Sequence, residues 1–415
     1  MKRVAPGRIE GTIDAPPSKS MMQRAVAAAC LARGESEILS PSFCDDALAA
    51  MRAAQALGAT VRQEKERVVL EGGGAVKSGR IEIGEAGLGL RMFTPIAALF
   101  DAELELVASG SRRERPVGMV EAPLRALGAR CETSNGKPPI RVHGPILGGD
   151  IEVDGSLSSQ FLTGLLLALP LCERPSRLTV RALKSKPYVR MTLALLSDFG
   201  GRVKSDESLE HFEIEAGQHY RARSYRVEGD WSGAAFPLVA GAIAGLSTVK
   251  NLDARSLQAD RAVLDALRAA GARVTVGTGS VAVERSDLRA FDFDASDCPD
   301  LFPPLVVLAC CCEGTTRLCG ASRLRHKESD RAHALATELG KIGASIRIEG
   351  DALLVAGGAL SGGRASSCGD HRIAMALSVA ALRSRDGVEI EGENAVSKSY
   401  PDFFERLESL KEPSR

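Results

Sequence analysis

Six short stretches of the chain concentrate side chains that packing alone does not call for. They are Pro17-Ser18-Lys19-Ser20 with Arg24, Gly84-Glu85-Ala86-Gly87 with Arg91, Ser158-Ser159-Gln160, Asp230-Trp231-Ser232, Asp297-Cys298-Pro299-Asp300 and Asp370-His371-Arg372. Each stands just ahead of an apolar stretch that reads as a helix. The free N–H groups and positive dipole end of a helix N-terminus attract phosphate and carboxylate. Taken singly, each turn also reads as ordinary capping, because Ser and Asp are preferred N-caps. Lys19, Arg24 and Arg372 fit that reading poorly. A cation near a helix N-terminus opposes the dipole and calls for an anionic partner.

Further basic residues lie in loops. Arg112-Arg113-Glu114-Arg115-Pro116 reads equally as a solvated charge run. The segment Arg323-Leu324-Arg325-His326-Lys327-Glu328-Ser329-Asp330-Arg331 is denser. If its last part is helical, Lys327 and Arg331 share one face with Glu328 and Asp330 beside them, which a surface salt-bridge network would also explain. Lys398, ahead of Tyr400-Pro401-Asp402, reads by itself as a surface lysine.

These turns need a scaffold that repeats. A leucine-rich stretch, a Gly and a small residue recur at Leu57-Gly58-Ala59, Leu127-Gly128-Ala129, Phe199-Gly200-Gly201, Ala270-Gly271-Ala272 and Ile342-Gly343-Ala344. The glycines are 70, 72, 71 and 72 residues apart. Gly at a helix C′ position takes the left-handed conformation without a Cβ penalty, so each marks a helix stop feeding a strand. Alternating strands precede the polar turns with the same beat: Ile9–Ile13, Ile81–Ile83, Ile151–Val153, Tyr225–Val227 and Phe291–Phe293. Six units of about 70 residues fill the 415. We expect three units per lobe, with the first strand completing the last unit. The lobes are expected to span 14–227 and 1–13 plus 228–415. Symmetry of this kind would gather the six turns in one cleft between lobes.

Composition narrows the function. The 53 basic residues equal the 53 acidic ones, so any anion site is a local concentration of charge. Aromatics make up only 4%, too few for base-stacking platforms, so nucleic acid is not an expected partner. Ten cysteines include no Cys-x-x-Cys pair, and Cys310-Cys311-Cys312 sit in an apolar run. They read as small core hydrophobes in a reducing compartment, not as metal ligands. No run reaches the roughly 20 apolar residues of a membrane span, and the first 20 residues lack a signal-length apolar core, so a cytoplasmic protein is expected.

With these residues in view, the chain resembles the EPSP synthases, the 3-phosphoshikimate 1-carboxyvinyltransferases, along nearly its full length. The markers are Pro17-Ser18-Lys19-Ser20 with Arg24, Gly155 to Phe161, Ser185-Lys186-Pro187-Tyr188, Val227-Glu228-Gly229-Asp230, Lys327 to Arg331, Asp370 to Met375, and Lys398 ahead of Pro401-Asp402. The resemblance implies two similar inside-out α/β barrel domains, each of three βαβαββ repeats, with the active site in the interdomain cleft. It implies transfer of the enolpyruvyl group of phosphoenolpyruvate to the 5-hydroxyl of 3-phosphoshikimate, by addition and elimination through a tetrahedral intermediate. Lys19, Ser20, Arg24, Ser158, Ser159, Gln160, Ser185, Tyr188, Asp300 and Lys327 are then expected at 3-phosphoshikimate. Lys19, Gly87, Arg115, Gln160, Arg331, Arg372 and Lys398 are expected at phosphoenolpyruvate. Asp300 is expected to take the hydroxyl proton, and Glu328 or Lys19 to handle the proton at carbon. The resemblance implies a monomer with no metal and no organic cofactor.

The chain departs from the family pattern at Glu85 and Leu88, where many relatives carry Asn and Thr, and at Arg323, where some carry Asn. Neither Glu85 nor Leu88 is assigned as a ligand. Two other readings stand beside this one. One is the sister transferase acting on UDP-N-acetylglucosamine, which usually carries a Cys in the loop matching Ser109–Pro116, where this chain has none. The other is a non-catalytic phosphometabolite-binding protein on the same fold. Asp300, Glu328 and Lys19 together argue against it, because anion binding alone does not favour buried carboxylates.

Overall fold

Strands that alternate buried and exposed residues form the outer surfaces. Arg80–Gly84 buries Ile81 and Ile83, and Asp150–Asp154 buries Ile151 and Val153, with charged neighbours facing out. Helices that are apolar all round have no solvent face to offer and belong inside. Every residue of Gly87–Ala97, Trp231–Ala244, Phe302–Cys310 and His371–Ala381 is buried. The structure, a computed structural model, describes residues 1–325 and 327–411, apart from the side chains of Ser111 and Arg112. His326 and the Arg112 side chain, both named above, lie outside the described residues.

The chain divides into Pro17–Val227 and a second unit made of Met1–Pro16 with Glu228–Arg415. Each has its own hydrophobic core. In Pro17–Val227, the helices Lys19–Leu31, Gly87–Ala97 and Gln160–Ala168 lie within three four-stranded sheets. Packing between two of them is close. A Cβ on Gly164 would stand 2.4 Å from the Met92 carbonyl oxygen, so only glycine fits that crossing. The other unit packs Trp231–Ala244, Phe302–Cys310 and His371–Ala381 within two four-stranded sheets and one of three strands.

The five four-stranded sheets repeat one pairing scheme, a parallel pair and then two antiparallel neighbours, and the three-stranded sheet keeps the parallel pair with one antiparallel neighbour. Arg80–Gly84 runs parallel to Glu103–Ala108, which is antiparallel to Lys137–His143, itself antiparallel to Arg130–Ser134. Among the described residues the strands form six sheets. The five helix-stop glycines all take positive φ: Gly58 at +112°, Gly128 at +103°, Gly200 at +86°, Gly271 at +87° and Gly343 at +100°. None of the ten cysteines is in a disulfide. No helix among the described residues is long and apolar enough to cross a membrane.

One strand assignment differs from the sequence reading. Lys2–Val4, not Ile9–Ile13, completes the last sheet, pairing antiparallel with Val388–Glu391. Ile9–Asp14 instead opens another sheet, running parallel to Gly245–Lys250. Ser224–Arg226 runs parallel to Gly34–Leu39. Period-two alternation fixes which face a strand buries but not which neighbour it takes.

Candidate functional site

In Pro17–Val227, the expected anion ligands cluster around buried helix starts. Ser18 caps Lys19–Leu31, its hydroxyl accepting from the Met21 N–H at 3.4 Å. Lys19 is thereby the first helical residue, and its Nζ meets Asp46 Oδ2 at 3.0 Å. Five residues on, Arg24 is 1% exposed. Its guanidinium donates to Thr192 Oγ1 at 3.0 Å, to the Ser20 carbonyl at 2.8 Å and to the Tyr188 carbonyl at 3.3 Å. Its recorded partners are hydroxyls and carbonyls, and burial lowers its pKa to about 10. Ser185, ahead of helix Lys186–Asp198, holds φ +58°, an unusual conformation for a non-glycine residue. The Gln160 N–H donates to Ser158 Oγ at 3.1 Å at the start of Gln160–Ala168. Gln160 Oε1 accepts from Arg91 at 2.9 Å, and Arg91 also donates to the Pro116 carbonyl at 2.9 Å. Arg91 thus ties Gln160 to the loop carrying Arg115. Both arginines are buried, and burial with the like charge of Arg115 lowers Arg91 to about 10. Gly87 is the first residue of its helix and is buried.

The second unit holds a denser cluster centred on Asp300. Its carboxylate receives Lys327 Nζ at 3.2 Å, Arg331 at 2.8 Å and Arg372 at 3.1 Å. Arg331, fully buried, also binds Glu328 at 2.6 Å and Asp370 at 2.9 Å. Asp370 caps helix His371–Ala381, its carboxylate accepting from the Arg372 N–H at 3.0 Å. Arg372 in turn donates to Ser232 Oγ and contacts His371 at 2.6 Å. Lys398 is buried in the 3₁₀ turn Glu393–Lys398. Glu328, Asp370 and His371 each place a donor atom within 4.8 Å of the others, the one such group among the described residues. The Arg331 guanidinium already takes both of those carboxylates.

Comparison with known proteins decides the family. A family model for EPSP synthase (3-phosphoshikimate 1-carboxyvinyltransferase) matches residues 4–407. This chain belongs to the EPSP synthase family. It is 40% identical over 419 residues to the 3-phosphoshikimate 1-carboxyvinyltransferase of Methanosarcina mazei, covering 98% of this chain and 97% of that one. It is 36% identical over 418 residues to the enzyme of that name from Clostridium perfringens, covering 99% and 98%. A solved structure of EPSP synthase from Acinetobacter baumannii superposes with a TM-score of 0.85 at 26% identity, covering 99% of this chain and 98% of that one.

For an EPSP synthase family member, the electrostatics are the informative part. Burial would raise the Asp300 carboxyl, but Arg372, Lys327 and Arg331 override it and hold the group well below the usual carboxylate range. Burial lowers Lys327, against the pull of Asp300. Burial would lower Arg372, but Asp300, with Glu328 and Asp260, raises it above the ordinary arginine value. Lys327 and Arg331 do meet on one carboxylate, but not from one helical face. The helix begins at Arg331, with Asp330 as its cap, and Lys327 lies in the preceding loop.

Sequence reasoning gave no role to Asp46, Arg91, Ser232, Asp260 or Asp370. Arg91, Ser232 and Asp370 stand in turns already singled out. Asp46 and Asp260 carried no motif. Asp46 stands 12 residues before its helix-stop glycine, and Asp260 stands 11 before its own.

Proposed function

We propose that this chain transfers the enolpyruvyl group of phosphoenolpyruvate to the 5-hydroxyl of 3-phosphoshikimate, releasing phosphate. The observation that carries this reading is the grip of three cations, Lys327, Arg331 and Arg372, on Asp300. Both substrates are polyanions and repel each other, so a dense cationic lining is the first requirement. Lys19, Ser20, Arg24, Ser158, Ser159, Gln160, Ser185 and Tyr188 hold 3-phosphoshikimate. Gly87, Arg115, Arg331, Arg372 and Lys398 hold the phosphate and carboxylate of phosphoenolpyruvate, with Lys19 and Gln160 reaching it too.

Asp300 then accepts the 5-hydroxyl proton as the oxygen attacks the second carbon of phosphoenolpyruvate. Glu328 or Lys19 delivers a proton to the methylene carbon, giving a tetrahedral ketal phosphate. Removing that carbon proton and protonating the leaving phosphate completes the exchange. A carboxylate held far below neutrality is a weak base. Substrate anions compete for the same Arg331, Arg372 and Lys327, and so loosen the field that depresses Asp300. The base gains strength when the substrates are in place. A monomer acting in the cytoplasm, without metal or organic cofactor, completes the reading.

A coupled phosphate-release assay tests it. Release from phosphoenolpyruvate is expected with 3-phosphoshikimate and not with UDP-N-acetylglucosamine. Release with the sugar nucleotide, or none with either acceptor, overturns the reading.

A further inference from the structure

The repeat exposes two residues that no motif marks. Counting 12 residues back from the helix-stop glycines at 58, 128, 200, 271 and 343 gives positions 46, 116, 188, 259 and 331. In the second, third and fifth repeats these are Pro116 beside Arg115, Tyr188 and Arg331, all at proposed substrate contacts. In the first repeat the position is Asp46, and in the fourth it falls beside Asp260. Both carboxylates are buried, at 4% and 3% exposure. Asp46 engages Lys19, a proposed substrate ligand. The pseudo-equivalence points to a comparable task for Asp260.

We propose that Asp260 is a positioning residue of the phosphoenolpyruvate site, fixing the Arg372 guanidinium against Asp300 through the Ser232 hydroxyl. The loop that carries it is well anchored. Gln258, two residues earlier, accepts from the Trp231 N–H at 3.0 Å and donates to the Gly229 carbonyl at 2.8 Å. This places the 3₁₀ turn Ala259–Ala262 beneath the start of helix Trp231–Ala244. Ser232 Oγ accepts from Arg372, and the Ser232 side chain also hydrogen-bonds to Asp260. A hydroxyl has one proton, and arginine cannot accept it. Toward an ionised Asp260 carboxylate, which can only accept, Ser232 is the donor. The chain then has one polarity: guanidinium to hydroxyl to carboxylate. Such chains polarise each bond along them. Arg372 then reaches Asp300 Oδ2 at 3.1 Å. Burial and the nearby charge of Asp300 raise the Asp260 carboxyl to about 7, with Arg372 opposing and Asp230 adding to the rise.

This inference rests on assigning Arg372 to phosphoenolpyruvate, so the test uses the full chain and reads both substrates. Initial rates of phosphate release are measured with each substrate varied at saturation of the other. Ser232→Ala and Asp260→Leu are each expected to raise KM for phosphoenolpyruvate about tenfold, the scale of one hydrogen bond to a charged group. KM for 3-phosphoshikimate stays within about twofold, and the double variant is no worse than either single one. Asp260→Asn keeps an acceptor and loses the charge, so an intermediate rise of about threefold is expected. A residue that merely supports the fold would lower thermal stability and leave KM unmoved.

Asp260→Leu with parental KM for phosphoenolpyruvate overturns the proposal, as do effects that multiply in the double variant. If the leucine variant does not fold, the cycle is closed with Asp260→Asn. Its effect is expected in the parent and absent in Ser232→Ala, and equal effects in both backgrounds overturn the proposal. Arg372→Gln separates the two levels. If that change leaves KM for phosphoenolpyruvate unmoved, the assignment of Arg372 fails. If it raises KM while the Asp260 variants do not, only the role of Asp260 fails.

Discussion

Lys19 Nζ and Asp46 Oδ2 stand 3.0 Å apart, with the two side chains only 12% and 5% exposed. A pair this sheltered is costly to break from one side, because the remaining charge stays out of water. Asp46→Ala is expected to destabilise the protein by about 3 kcal/mol. Bound 3-phosphoshikimate offers Lys19 a replacement anion. Its stabilising effect in thermal unfolding should therefore be larger in the variant than in the parent. Equal ligand-induced shifts would detach Lys19 from the substrate.

Arg24 sets two helices against each other through a planar fork, donating to Thr192 and the Tyr188 carbonyl on helix Lys186–Asp198 and to the Ser20 carbonyl on its own. Lysine keeps the charge and loses the geometry. Arg24→Lys is expected to raise KM for 3-phosphoshikimate by about tenfold or more and to lower stability by about 1–3 kcal/mol. Steady-state kinetics and chemical denaturation check the two effects separately.

Asp300 is the proposed base, and its removal is expected to lower kcat by about 10²–10⁴-fold in Asp300→Asn. Its pKa also makes a stability claim. A carboxyl depressed on folding contributes stability above its unfolded pKa of 3.8, and that stability is lost as pH falls through the lower folded value. The parent should therefore weaken in acid below about pH 4 more steeply than Asp300→Asn. Denaturation midpoints from pH 5 downward measure the difference.

Asp260 carries the opposite sign. Raised from 3.8 to about 7, it contributes stability that is complete below about pH 4 and lost as pH rises toward 7. Asp260→Asn removes that loss. The variant should gain on the parent between pH 4 and 7, by up to about 4 kcal/mol for a group this buried. Parallel stability curves across that range would refute the assignment.

Gly164 tests the packing beneath the site. A Cβ there would lie 2.4 Å from a backbone oxygen of the neighbouring helix, which cannot rotate away. Gly164→Ala is expected to cost about 2 kcal/mol or more in thermal unfolding, although alanine is the better helix former.

Much of the fold was legible because it depends on local chemistry. The glycines at 58, 128, 200, 271 and 343 announce left-handed helix ends, and all five have positive φ. The apolar stretches after the polar turns have no hydrophilic face, so their burial follows. Strand partnership was not legible. Ile9–Asp14 and Ser224–Arg226 alternate as any strand would, and only tertiary packing selects their neighbours. At the site, the segments carrying Asp300, Lys327, Arg331 and Arg372 stood out by residue type, and the resemblance to the EPSP synthases supplied their expected roles. Their convergence on one oxygen pair required the structure, since a loop and two helix starts contribute them. Ser232 and Asp260 act through other side chains, and such residues leave no pattern in a linear reading.

The pairing of Lys2–Val4 with Val388–Glu391 bears on how the protein is made. A ribosome releases Lys2–Val4 almost four hundred residues before the strand that covers it. Until then that segment has an open edge, available to any other strand-forming chain. Pro17–Val227 is contiguous and can condense while translation continues. The other half must wait for both ends of the polypeptide, and long-separation contacts of this kind form slowly. A bulky fusion at the amino terminus would therefore do its damage late in biogenesis, at the last sheet to close.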